Sequence, residues 1–192
     1  MSYHSPEMPI QVDDETGVWT TDALPMLYVP RHFFVNNHMA IEAELGADKY
    51  AQVLYRAGYK SAYYWCEKEA ECHGLSGDAV FDHYMKRLSQ RGWGLFFTEE
   101  LDIAAGTCKV RLENSAFVYQ YGKVNRMVDY MFTGWFSGAI DQIAKAQGLD
   151  VRTLSEQTQC GAQEGFEVGY FETRPVITED DAALWESLQP GF

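Results

Sequence analysis

This chain is short of positive charge. It carries 15 Lys and Arg against 28 Asp and Glu, a formal net charge of -13. Phosphate backbones and anionic headgroups need compensating cations, so this balance argues against a nucleic-acid surface and against anionic membranes. Solubility is the plainest consequence of the excess. No apolar run is long enough to span a bilayer, and no charged-then-apolar segment opens the sequence. The four cysteines, Cys66, Cys72, Cys108 and Cys160, are scattered without a paired framework. Reduced thiols in a cytoplasm are therefore expected. Also missing are a Gly-x-Ser-x-Gly elbow, a phosphate loop, a Gly-x-Gly-x-x-Gly after a strand and a Ser-His-Asp order. No nucleotide or nicotinamide site is indicated. Internal repeats and low-complexity linkers are lacking too.

What is present fits one folded domain. The 192 residues are 46% hydrophobic and 15% aromatic, enough for a core with rings to spare for a pocket wall. Residues 1–24 are polar and turn-rich and read as an extended arm pinned by Trp19. Residues 25–175 read as the folded domain, and 176–192 as a C-terminal helix and tail. A short helix is expected over 38–45, capped by Asn36 or Asn37 and ended by Gly46. Residues 48–73 carry the longest helical pattern. Tyr50, Val53, Leu54, Ala57, Tyr64 and Trp65 fall on one face, and Tyr55, Tyr59, Tyr63, Cys66 and His73 on the other. Two apolar faces predict two coverings: the domain itself, and a second copy of the chain or a cavity. A second helix over 78–91 has Val80, Phe81, Tyr84, Met85 and Leu88 as its buried stripe.

A hairpin is predicted over 95–102 and 107–114, where Cys108, Val110 and Leu112 alternate with charged residues. The aromatic stretch 115–121 reads as strand or loop. A long helix over 125–147 holds Gly134 and Gly138 one turn apart. Each glycine costs a helix about 1 kcal/mol, so the pair points to close packing. A second hairpin follows over 149–158 and 163–171, then a helix over 178–188 opened by acidic residues. The order implies an α+β fold, with an antiparallel sheet of two hairpins packed against long helices.

One resemblance sharpens this. Gly134-Trp135-Phe136-Ser137-Gly138, then Cys160, then Phe166-Glu167-Val168 resemble the pattern of the 4-vinyl reductase domain family, whose fold is shared with subunits of the TRAPP transport particle. Members of that family include sensing domains of aromatic-responsive bacterial activators. The similarity is best over residues 40–175 and is greatest to a bacterial branch associated with betaine-type amine catabolism. Three departures stand out: Asp129 stands where the pattern has a helix cysteine, Glu156 is one residue further from Cys160 than the pattern has it, and the loop after Cys160 is shortened, with Gly165 near the place of the pattern's second loop cysteine. Some relatives bind structural zinc in this region. The resemblance therefore implies Asp129, Cys160 and Glu164 as candidate zinc ligands, but three donors fall short of a tetrahedral set. No tight zinc and no other cofactor is expected. The lone His32, His38 and His83 give no support for haem.

The ligand reading rests on rings. Tyr55, Tyr59, Tyr63, Trp93, Phe96, Phe97, Tyr130, Trp135 and Phe136 lie on elements expected to converge. Aromatic faces attract apolar rings or quaternary ammonium groups. Most of these are expected to be core. Tyr59, Tyr63, Trp135 and Phe136 are taken as pocket walls and Asp129 as the polar anchor, with Arg126 or Lys123 as its alternative partner. Cys66, Cys72 and His73 match no metal motif and read as a helix end beside a core cysteine. The leading expectation is a homodimeric domain that binds a hydrophobic, aromatic or methylated-amine small molecule. The alternatives are an accessory enzyme of amine or one-carbon catabolism and a dimeric interaction subunit.

Overall fold

The computed structural model describes residues 7–188. Residues 1–6 of the expected arm and 189–192 of the expected tail lie outside the described residues.

The rest of the arm is a small antiparallel sheet of β1 (Ile10–Val12), β2 (Trp19–Thr21) and β3 (Leu24–Met26). Asp22 and Ala23 make the two-residue β2–β3 turn, with φ of 53° and 64°. Positive φ at both central residues matches the right-handed twist of the flanking strands.

Helix α1 (Arg31–Leu45) starts directly after Pro30, seven residues before the expected point at 38. The reason is local. Asn37 does not cap a helix; its side-chain amide donates to the carbonyl of Phe33 one turn back, inside α1. Helices α2 (Ala47–His73) and α3 (Asp78–Gln90) follow, and the predicted α3 stripe is buried throughout. Strands β4 (Leu95–Asp102) and β5 (Thr107–Glu113) form the first hairpin. The stretch 115–121 is neither strand nor loop but helix α4 (Ala116–Tyr121), because Ser115 Oγ accepts from the N–H groups of Phe117 and Val118 and caps it.

The predicted long helix is cut back. A 3-10 turn, Tyr130–Phe132, leads into α5 (Thr133–Ala146). Residues 124–129 are drawn elsewhere: Asn125 has φ 53°, and the amides of Val124 and Asn125 both reach the carbonyl of Ala162. Strands β6 (Thr153–Gln159) and β7 (Gly169–Pro175) make the second hairpin, and α6 (Glu179–Leu188) ends the described chain. Phe166-Glu167-Val168, expected on a strand, precede β7, because turns fill the preceding loop and Lys123 binds its carbonyls at Gly161, Gln163 and Phe166.

The main sheet runs β4-β5-β7-β6, antiparallel throughout. Cys108, Val110, Leu112 and Phe171 turn one of its faces to the core. Helix α5 lies on this face, and α2 crosses α5 closely. A Cβ at Gly134 would sit 2.1 Å from the Tyr55 carbonyl oxygen, and one at Gly138 2.2 Å from that of Tyr59. The same two turns of α2 send Tyr55 Oη to Ser137 Oγ (2.7 Å) and Tyr59 Oη to Asp141 Oδ2 (2.8 Å). The glycines let the backbones meet, and the tyrosines fix their register. The two faces read from the wheel divide differently from expectation. Tyr50, Tyr55, Tyr59, Ala62, Trp65 and Cys66 all turn inward, while Val53 and Tyr64 are 43% and 53% exposed.

Candidate functional site

Between the helices and the sheet the space is filled. Phe132, Phe136, Phe171, Leu112 and Ile140 are fully buried there, and Phe132 and Phe136 each meet Phe96 and Phe171 ring to edge. The expected aromatic set separates into groups. Trp93, Phe96, Trp135 and Phe136 belong to the main core, Tyr55, Tyr59 and Tyr63 to a second cluster with Leu154 and Leu188. Tyr130 stands beside His38 and Tyr50, and Phe97 lies under Arg111 at the surface. Open space is found instead at the margins.

One cleft, of about 310 Å³, has Asp129 among its lining residues, with Leu112, Ser115, Tyr119, Arg31 and Glu167. Asp129 has no exposed surface as a residue. It is placed at the start of the 3-10 turn, with its amide on Gln157 Oε1 (3.2 Å). Its carboxylate accepts from Ser115 Oγ, from Cys160 Sγ at 3.3 Å and from Gln157 Nε2 at 3.5 Å. All of these donors are neutral. The two cations named as alternatives are engaged elsewhere: Arg126 pairs with Glu42, and Lys123 holds the loop carbonyls. Burial consequently pushes the Asp129 carboxyl up to about 6, against hydrogen bonds that pull it down. Burial and the neighbouring charge of Asp129 likewise raise the Cys160 thiol.

Glu164 is exposed and contributes only its backbone amide, to Asn125 Oδ1. Asp129 and Cys160 thus meet without it. Two donors do not make a tetrahedral zinc site, so the donor set here does not fit the ion that the resemblance implied.

A second cleft of about 190 Å³ is lined by Tyr59 and Tyr63 with Asp141, Lys145 and Arg152. Asp141 accepts from Tyr59 and from Thr153 Oγ1 (2.7 Å), and burial raises it too to about 6. Trp135 and Phe136 line neither cleft. Of the five expected ligand-binding residues, the structure therefore puts Asp129 in one cleft, Tyr59 and Tyr63 in another, and two in the core.

Several residues of these sites escaped the sequence reading. Ser115 had a readable signal, a serine just before an apolar run, which is the pattern of a helix cap. Gln157 and Asp141 had none, because their importance comes from partners 28 and 82 positions away.

Solved structures share this fold. The phenol-responsive sensory domain of the transcription activator PoxR, determined with phenol, aligns at TM-score 0.76 and 16% identity, over 94% of this chain and 92% of that one. A vinyl-4-reductase family protein from Methanocaldococcus jannaschii aligns at 0.51 and 14% identity, over 79% and 85%. A trafficking protein particle complex subunit 3 from Naegleria fowleri, covalently bound to palmitic acid, aligns at 0.50 and 11%, over 76% and 94%. The architecture is thus the α+β fold of the 4-vinyl-reductase and TRAPP-like proteins. No curated protein matches the sequence. Residues 4–99 match the model of the family described as a domain of unknown function, DUF5943, and the chain belongs to that family.

Proposed function

We propose that this protein is a small-molecule-binding domain whose ligand enters the Asp129 cleft and presents a cationic or hydroxyl head to that carboxylate. The observation that carries this is a fully buried acid at a cleft with only neutral donors around it. A buried charge without a counter-charge is costly. A methylated ammonium or a phenolic hydroxyl would relieve it. The cleft favours the ammonium: Glu167 adds a second acid, Tyr119 an aromatic ring, and Arg31, stacked 5.5 Å over that ring, a cation for a ligand carboxylate. A betaine-type zwitterion matches that pattern of charges. The phenol bound by the PoxR domain makes an aromatic alcohol the second reading. Nothing in the cleft calls for chemistry on the ligand.

The test is calorimetric titration and thermal shift with glycine betaine, dimethylglycine, phenol and palmitate. Binding of a methylated glycine, weakened at least about tenfold in Asp129→Asn, is the expected result, since a charge-assisted contact is worth about 1.5–3 kcal/mol. No heat from any of the four, or binding indifferent to the substitution, would refute the assignment.

We also propose that two copies pair through the outer face of α2. Val53, Ala57 and Tyr64 recur there at helical spacing and are uncovered within the chain. A second copy of the same face would cover them symmetrically.

A further inference from the structure

We propose that Asp22, Glu69, His73 and His83 form a binding site for a divalent first-row transition-metal ion, distinct from the Asp129 cleft. One ligand atom from each lies within 4.8 Å of the others. Glu69 and His73 are one turn apart on α2, His83 faces them from α3, and Asp22 arrives on the β2–β3 turn. His83 Nε2 is 2.7 Å from Glu69 Oε2. His73 Nε2 is 3.4 Å from the same oxygen and 3.1 Å from Asp22 Oδ1. The two imidazole rings are 4.8 Å apart at 52°. The side chains of Asp22 and Glu69 are buried, while His73 keeps 32% of its surface and opens the site to solvent.

Two imidazoles with two carboxylates are a donor set for zinc, iron or manganese in the divalent state. Hydrogen bonds alone leave it incomplete. With hydrogen bonds only, His83 Nε2 faces Glu69 Oε2 and His73 Nε2 faces Asp22 Oδ1. The other Glu69 oxygen, Oε1, would stay without a hydrogen-bond partner on a residue with no exposed surface. An ion between the four side chains takes the Nε2 lone pairs and the open carboxylate positions together. Arg87 lies 2.9 Å from Asp22 Oδ2, and Arg91 acts electrostatically on Glu69 and Asp22. Arg87 also orients Asp22, donating to Oδ1 at 3.1 Å, as outer partners of ligating carboxylates do. The ion would tie the N-terminal sheet to α2 and α3.

The full chain, freed of metal with chelator and dialysed, is titrated with Zn²⁺ by calorimetry and with Co²⁺ by absorption. One ion per chain is expected, with visible cobalt bands and no thiolate charge-transfer band. The ion should raise the melting temperature. His73→Ala and His83→Ala should each weaken zinc by about 100-fold or more, and Arg87→Gln by about tenfold, in the range known for outer partners. Cys72→Ser, Cys160→Ser and Asp129→Asn should bind as the parent does. If a histidine variant does not fold, His73→Asn and His83→Asn replace it. Absence of binding, a thiolate band, or zinc affinity that survives loss of both histidines would overturn the site.

Discussion

Asp129 shows how one substitution in a pattern changes the chemistry of a position. Where the related pattern has a soft thiol donor, this chain has a carboxylate, which the structure buries among a hydroxyl, a thiol and an amide. Its pKa rises from 3.8 to about 6. In the folded state the proton is thus held more tightly than in the unfolded chain. The associated stability is fully present below pH ~3.8 and is lost as pH rises through ~6, about 3 kcal/mol in all. Asp141 behaves in the same direction. His38 opposes both: burial lowers it from 6.5 to about 4, so its contribution is present above 6.5 and lost as pH falls through 4. The comparison that isolates Asp129 is therefore a difference. Urea unfolding of the parent and of Asp129→Asn at pH 4.5 and pH 8 should show the parent gaining about 2 kcal/mol on the variant at the lower pH. A gap that does not move with pH would mean the carboxyl is not held as described.

At the scale of elements, the α2–α5 crossing was partly legible in advance. Two glycines one turn apart in an apolar helix announced a close neighbour, and α2 is that neighbour. The obstacles they avoid are the backbone carbonyls of Tyr55 and Tyr59. Carbonyls cannot rotate away, so Gly134→Ala and Gly138→Ala must push the helices apart. Alanine improves helix propensity by about 1 kcal/mol, but overpacking costs about 1–3 kcal/mol or more. Both variants should be destabilised in urea. Gly58→Ala should cost less, because the atoms it would clash with belong to the Trp135 side chain, the Met131 carbonyl oxygen lying at an ordinary 3.5 Å; equal losses at all three sites would contradict this ranking. Boundaries were less legible where tertiary bonds decide them. Residues 124–129 have the apolar pattern of a helix yet are held to Ala162 of the 160s loop and to Gln157 on β6. Helix α4 is hidden in the sequence because the aromatic stretch 115–121 reads as strand or loop, whereas Ser115 caps a helix there.

The whole molecule was legible as a class and opaque as a site. Alternation in β5, the α3 stripe and the order of elements were enough to give helices on an antiparallel sheet. The wall of rings was not, because a sequence cannot distinguish an aromatic that fills a core from one that lines a hole. Phe136 and Tyr59 looked equivalent, yet the first is sealed among Phe96 and Phe171 while the second meets Asp141 beside a cleft. Assembly poses the same ambiguity one level up, and physics offers a way through it. Val53, Ala57 and Tyr64 give α2 an uncovered apolar strip, which favours pairing through burial. Each copy also carries a net charge of -13, which opposes it. Salt acts on these two terms differently: the Debye length falls from about 30 Å at 0.01 M to about 8 Å at 0.15 M, weakening the repulsion while leaving burial intact. Sedimentation velocity should accordingly find the dimer fraction rising with salt, and Val53→Glu with Tyr64→Glu should return the chain to monomer. A parent chain that stays monomeric up to 0.5 M salt would show that the strip is too small to hold two such acidic surfaces together.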